Sequence, residues 1–177
     1  MKTLYLLCGM PFSGKTTIGK SVAQHLEIFY ISLDEINEAR GLLGGEGIPV
    51  EEWEKTHHLA MEQLKNLMPY QHDIILDDTN CFRWLRDRFR NLAAGYNYQT
   101  TIIFLDIPYA EIEKRIAANN KTQTRNKVKP EIIEQMNQTF EPPQVDEKTI
   151  GYIGQPINEW IAQNFNNGFR LSCKGES

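Results

Sequence analysis

The stretch "TLYLLCGMPFSGKTTIGKSVAQHL", residues 3–26, decides the fold. Its opening, Thr3 to Cys8, is a short, largely apolar run that stops at Gly9, the pattern of a strand buried on both faces. Its close sets Ile18, Val22 and Leu26 at helical spacing. Between them lies G-x-x-x-x-G-K-[ST], filled by Gly9, Gly14, Lys15 and Thr16. Glycines let the backbone turn so that consecutive N–H groups point inward around phosphate oxygens, and the following helix adds its positive end. A strand before and a helix after are the context that separates this motif from a chance glycine turn. Gly9, Met10, Pro11, Phe12, Ser13, Gly14, Lys15, Thr16 and Thr17 are therefore expected to hold nucleotide phosphates. In that loop Lys15 reaches the β- and γ-phosphates, and the Thr16 hydroxyl binds Mg²⁺.

Outward from this stretch, strand-like and helix-like segments alternate. Strands are predicted at 28–32, 73–78, 99–107 and 149–154. Helices are predicted at 50–68, 82–93, 109–118, 130–140 and 157–165. In the longest, Val50, Trp53, His57, Met61, Leu64 and Met68 are expected to share the buried face. Such alternation implies a doubly wound α/β architecture, a parallel sheet of about five strands with helices on both faces. The length, 177 residues, fits one domain over 1–177 with a real core.

Composition limits the function classes. The net charge is −4 and the sequence pI about 5.6, without the basic excess of a dedicated nucleic-acid binder. The cysteines, Cys8, Cys81 and Cys173, show no metal-ligand spacing. A reducing cytoplasm is the expected setting. No stretch reaches the roughly 20 apolar residues of a membrane helix.

Four further elements are candidates for chemistry. "IILDDTN" (74–80) offers Asp77 and Asp78 at the end of a buried strand, where an acid supports a hydrated metal; Asp78 is the first choice. In "SLDEINEAR" (32–40), Asp34 lies at the carboxyl end of the second strand, on the rim where ligands of open α/β sheets bind. It can serve as the base that takes a proton from an acceptor hydroxyl, or simply cap a helix. Arg40 either binds an acceptor anion or ends that helix in solvent. Arg83, Arg86 and Arg90 follow "DDTN" on one helix, where an anion or a salt-bridged face would explain them. Arg115 and Arg125 flank a polar segment that reads as a lid around 119–129, where arginines can neutralise a transferring phosphoryl group. "GLLGGEGIP" (41–49) reads as a cap or a plain connector, and His57 and His58 read as core or interface histidines.

The combination of "GMPFSGKTT", "ISLDEI", "ILDDTN", "EKRI" and "RNKVKPEIIEQMNQTFEPP" resembles the small P-loop kinases that include the phage-type polynucleotide 5′-hydroxyl kinases and many predicted bacterial kinases. The resemblance runs from the first strand to "FEPP". It implies strand order 2-3-1-4-5, ATP and Mg²⁺ as cofactors, and phosphoryl transfer to a hydroxyl acceptor. It implies that Lys15 places the nucleotide, that Asp34 activates the acceptor, and that Asp78, Thr79 and Asn80 lie near metal and acceptor. Arg115 and Arg125 match its lid arginines. Two departures stand out: the arginine that these kinases carry three residues after the base is Asn37 here, and the lid is longer. Both, with the acidic pI, favour a small hydroxyl acceptor over a nucleic acid. Two rival readings are a nucleotide-hydrolysing switch without an acceptor, for which no guanine-reading N-K-x-D string is present, and a nucleotide-binding module without turnover.

Overall fold

The computed structural model describes residues 1–42, 48–122 and 128–165. Five strands form one parallel sheet in the order β2-β3-β1-β4-β5, matching the expected order. They are β1 (Lys2–Gly9), β2 (Phe29–Ser32), β3 (Ile74–Asp77), β4 (Tyr98–Leu105) and β5 (Thr149–Tyr152). The helices are α1 (Lys15–Leu26), α2 (Leu33–Ala39), α3 (Val50–Leu67), α4 (Arg83–Gly95), α5 (Tyr109–Thr122), α6 (Pro130–Thr139) and α7 (Ile157–Phe165).

The period-two pleat explains why β1 is apolar almost throughout. Leu4 and Leu6 face one layer of the core with Ile74, Leu76, Leu64 and Phe89. Leu7 faces the other with Ile75, Ile103, Ile18, Val22 and Trp160. Burial on both faces forbids polar alternation in the central strands.

Three differences from the sequence reading have physical causes. On α3 the buried stripe runs through Thr56, His57, Ala60 and Leu64, whereas Val50 is 77% exposed. The stripe is rotated because α2 packs against α3 and claims Thr56. The helix of α5 continues to Thr122, so residues 119–122 of the expected lid are helical; 123–127, with Arg125, lie outside the described residues. Finally, β3 ends at Asp77, which leaves Asp78 just beyond the strand.

The arginines of α4 are structural. Arg83 bonds Asp87, Gln144 and Asp146, and Arg90 bonds Asp87. Arg86 is fully buried and grips the buried Glu147 carboxylate through Nε at 2.8 Å and Nη2 at 3.0 Å. Its Nη1 donates to the carbonyls of Asn80 at 2.9 Å and Glu141 at 2.8 Å. The pair thus ties the turn after β3 to the segment that leads into β5. Burial alone would raise the Glu147 carboxyl, but Arg86, the Gln144 N–H and Arg83 outweigh it and hold it below the usual range.

Candidate active site

The carboxyl ends of β1, β2 and β3 meet at one rim. The register pairs Ser32 with Asp77, so the chain leaving β2 passes directly beside the end of β3. The turn from β1 to α1 is the glycine loop. Gly14 caps α1 at φ 101°, a left-handed conformation that a side chain would strain. A Cβ on Gly9 would come within 3.1 Å of the Leu105 carbonyl oxygen, so a side chain there would crowd β4. The amide of Gly9 donates to the Thr79 carbonyl at 3.1 Å, locking this loop to the turn after β3.

Lys15 Nζ donates to the carbonyls of Gly9 at 3.0 Å and Met10 at 2.9 Å, which holds the ammonium inside the loop. Burial lowers its pKa, opposed by the carboxylates of Asp77, Asp78 and Asp34. Thr16 Oγ1 donates to Asp77 Oδ2 at 2.8 Å, and the Tyr30 hydroxyl donates to the same oxygen at 2.5 Å. A hydroxyl and a carboxylate side by side at a phosphate cradle fit Mg²⁺, which takes one or two protein oxygens and completes its shell with waters and substrate phosphates. The geometry brings Asp77, and not the first choice Asp78, to the Thr16 hydroxyl. Asp77 faces Thr16, while Asp78, one residue on, turns to α3, where Oδ2 meets His57 Nε2 at 3.2 Å.

The His57–Asp78 pair holds a proton between two acceptors. His57 Nδ1 lies 2.8 Å from the Trp53 carbonyl, which can only accept, so that nitrogen carries a hydrogen. The other nitrogen faces a carboxylate that also accepts the Thr79 N–H at 2.7 Å. Burial would lower the His57 pKa, but Asp78 and the Trp53 carbonyl outweigh it and raise it. Burial would likewise raise Asp78, and His57 holds it below the usual range. Asn80, at φ 45°, donates its Nδ2 to the Leu7 carbonyl at 2.8 Å, while its buried Oδ1 has no hydrogen-bond partner among the described residues.

The two readings of Asp34 are separated by its neighbour. Ser32 caps α2, its hydroxyl accepting the Glu35 N–H at 3.3 Å, so Asp34 has no capping duty. Its carboxylate lines the cavity, and its pKa is raised by burial and by the carboxylates of Asp77 and Asp78. Arg40 bonds Glu52 and Thr56 and bridges α2 to α3. Arg115 sits on α5, with Nη1 donating to the carbonyls of Phe12 at 3.2 Å and Ser13 at 2.9 Å. It braces the phosphate loop from outside.

One cavity of about 930 Å³ joins these parts; Lys15, Thr16, Asp34, Asp77, Asp78 and His57 all line it. Sequence reasoning passed over Tyr30, took Asn37 only as the place of a missing arginine, and read His57 as a core or interface histidine. Tyr30 looks like any strand aromatic, and His57 lies on a face of the expected periodicity, so neither carries a local signal.

The AAA domain family matches residues 4–143 of this chain. The chain belongs to that family. Its fold recurs in solved structures at low identity. An unliganded sugar kinase from Janibacter sp. HTCC2649 has a TM-score of 0.67 at 19% identity, covering 92% of this chain and 91% of that one. Chaetomium thermophilum Kti12 in complex with ADP-AlF3 scores 0.74 at 15% identity, with 92% and 95% covered. The Mycobacterium tuberculosis APS kinase CysC, in complex with AMPPNP and APS, scores 0.67 at 14% identity, with 92% and 94% covered. This AAA domain therefore has the P-loop kinase fold, with its glycine loop at the start of the matched span. No helix among the described residues is long and apolar enough to cross a membrane.

Proposed function

We propose that this protein is an Mg²⁺–ATP-dependent kinase that transfers the γ-phosphoryl group to a hydroxyl of a small molecule. The observation that carries this is the position of Asp34: a carboxylate without a capping role, in the same cavity as the phosphate loop. A carboxylate beside the phosphate cradle is placed to take a proton from a nucleophile that attacks the γ-phosphate.

The loop from Gly9 to Thr17 holds the phosphates through its N–H groups, and Lys15 exchanges its two carbonyl contacts for phosphate oxygens. Thr16 would hold Mg²⁺, with Asp77 as the supporting acid, and the ion would neutralise phosphate charge. Tyr30 fixes the Asp77 carboxylate by donating to it. The acceptor oxygen attacks the γ-phosphorus, the bond from that phosphorus to the β–γ bridging oxygen breaks, and ADP leaves with the electron pair. The hydroxyl proton passes to Asp34, whose raised pKa brings it closer to neutrality and makes it a better base. Arg115, through the loop carbonyls, keeps the cradle in shape. Arg125 is proposed as a second cation near the transferred phosphoryl group. The buried thiols of Cys8 and Cys81 suit a cytoplasmic setting.

The test is Asp34→Asn, which keeps the shape of the side chain and removes the proton acceptor. Loss of a general base lowers a rate by about 10²–10⁴. Transfer from labelled ATP, in a screen of hydroxyl acceptors, should fall by that range while ATP affinity by calorimetry stays constant. Unchanged transfer in this variant would remove Asp34 from the mechanism and favour a switch without an acceptor.

A further inference from the structure

The acceptor end of the cavity carries a signature of its ligand that is separate from the phosphate machinery. Asp34, Asn37 and Glu38 lie on one face of α2, at spacings of three and four residues, and all three line the cavity. Asn37 is only 3% exposed, yet one end of its carboxamide, Nδ2, has no hydrogen-bond partner among the described residues. A buried amide left unpaired forfeits its hydration without compensation, so a polar group retained in that state at a cavity wall calls for a ligand.

The other end of the carboxamide is held firmly. Thr56 Oγ1 donates to Asn37 Oδ1 at 2.5 Å, and Arg40 Nη1 donates to Thr56 Oγ1 at 2.6 Å. Arg40 is in turn fixed by the Glu52 carboxylate and carbonyl. The relay Glu52–Arg40–Thr56–Asn37 orients the free end and at the same time takes Arg40 away from the cavity. The charged groups on the acceptor side are then Asp34, Glu38 and the Asp78–His57 pair. The other described cations that line the cavity are Lys15, in the phosphate loop, and Lys129, exposed at the start of α6. Trp53 and Phe82 add aromatic wall.

Resting on the kinase reading above, we infer that the acceptor is a polyhydroxylated molecule without an anionic group, of the neutral or amino-sugar kind, one of whose non-reacting hydroxyls is bound by Asn37. A hydroxyl suits the free amide because it can both donate and accept. A carboxylate or phosphate on the acceptor would be set against Asp34 and Glu38 with no described arginine turned to it. A protonated amine, by contrast, would find Glu38 and the aromatic faces.

The experiment uses the full chain, saturated with AMPPNP and Mg²⁺, and four matched three-carbon probes: glycerol, serinol, glycerate and glycerol 3-phosphate. The NMR signals of the Asn37 side-chain amide report occupancy without requiring turnover. Serinol and glycerol should shift them in a saturable way, with at least about tenfold weaker response to glycerate and glycerol 3-phosphate. Glu38→Lys, an exposed change that leaves the Asn37 relay intact, should invert the order of serinol and glycerate. Tighter binding of either anion by the natural chain, or no movement of the Asn37 amide with any probe, overturns the inference. If AMPPNP itself leaves the Gly14 and Lys15 signals unmoved, the kinase reading fails, and this inference with it. Analogue binding together with a preference for anions sinks the acceptor inference alone.

Discussion

Replacing Arg86 by methionine isolates the interaction that secures the turn carrying Asp78 to Asn80. The guanidinium is fully buried and makes two bonds to Glu147, at 2.8 and 3.0 Å, and two to the carbonyls of Asn80 and Glu141. Methionine fills much of the volume but leaves a buried carboxylate without its cation. Breaking a buried pair in this way costs about 3–5 kcal/mol. Glu147 keeps the Gln144 N–H at 2.9 Å, which argues for the lower end of that range. In a chain of this size about 1 kcal/mol moves the melting temperature by roughly 2–4 °C, so a drop of roughly 6–12 °C is expected by calorimetry. The deficit should depend on pH. In the natural chain the Glu147 carboxyl is held low, so its contribution is present above its unfolded pKa and is lost as pH falls through the folded one. In the variant burial acts without the guanidinium and raises that carboxyl. Its penalty is then largest near neutral pH and shrinks as the group is protonated. The double variant Arg86→Met/Glu147→Leu removes both charges and should recover at least half of the loss, the remainder reflecting the two carbonyls left without Nη1. A single variant that loses less than about 1 kcal/mol, or a double variant no better than the single, would refute the reasoning.

Other outcomes follow from the rim. Asp77→Asn should weaken Mg²⁺-dependent ATP binding by about tenfold or more, whereas Asp78→Asn should leave it nearly intact; calorimetry with and without Mg²⁺ decides, and the reverse ranking would restore Asp78 as the metal-supporting acid. Lys15→Met should abolish measurable ATP binding without lowering the apo melting temperature, because burial already disfavours the ammonium; a large loss of stability would make the lysine a structural residue. The rate of phosphoryl transfer should fall as pH drops through the pKa of Asp34, which is raised above the ordinary aspartate value, because the protonated carboxyl cannot take the acceptor proton. A pH–rate profile flat down to about pH 4 would contradict that role.

Sequence by itself settled what depends on near neighbours. A strand, a glycine loop and a helix within residues 3–26 need no distant partner to be recognised, since burial periodicity and the phosphate motif are local. The alternation of the remaining segments likewise pointed to a parallel sheet with covered faces. Tertiary structure decided everything that depended on which side of an element faces which partner. Asp77 and Asp78 are chemically identical and adjacent, but successive side chains diverge at a strand end, and the β2–β3 register points Asp77 at Thr16 and Tyr30 while Asp78 meets α3. The capping reading of Asp34 gave way because the Ser32 hydroxyl occupies the capping position. The unpaired Nδ2 of Asn37 and the contact between His57 and Asp78 are invisible in a string of letters. Each is defined by a partner brought from another element, Thr56 for the one and Asp78 for the other, and the packing of α2 and β3 against α3 creates those contacts.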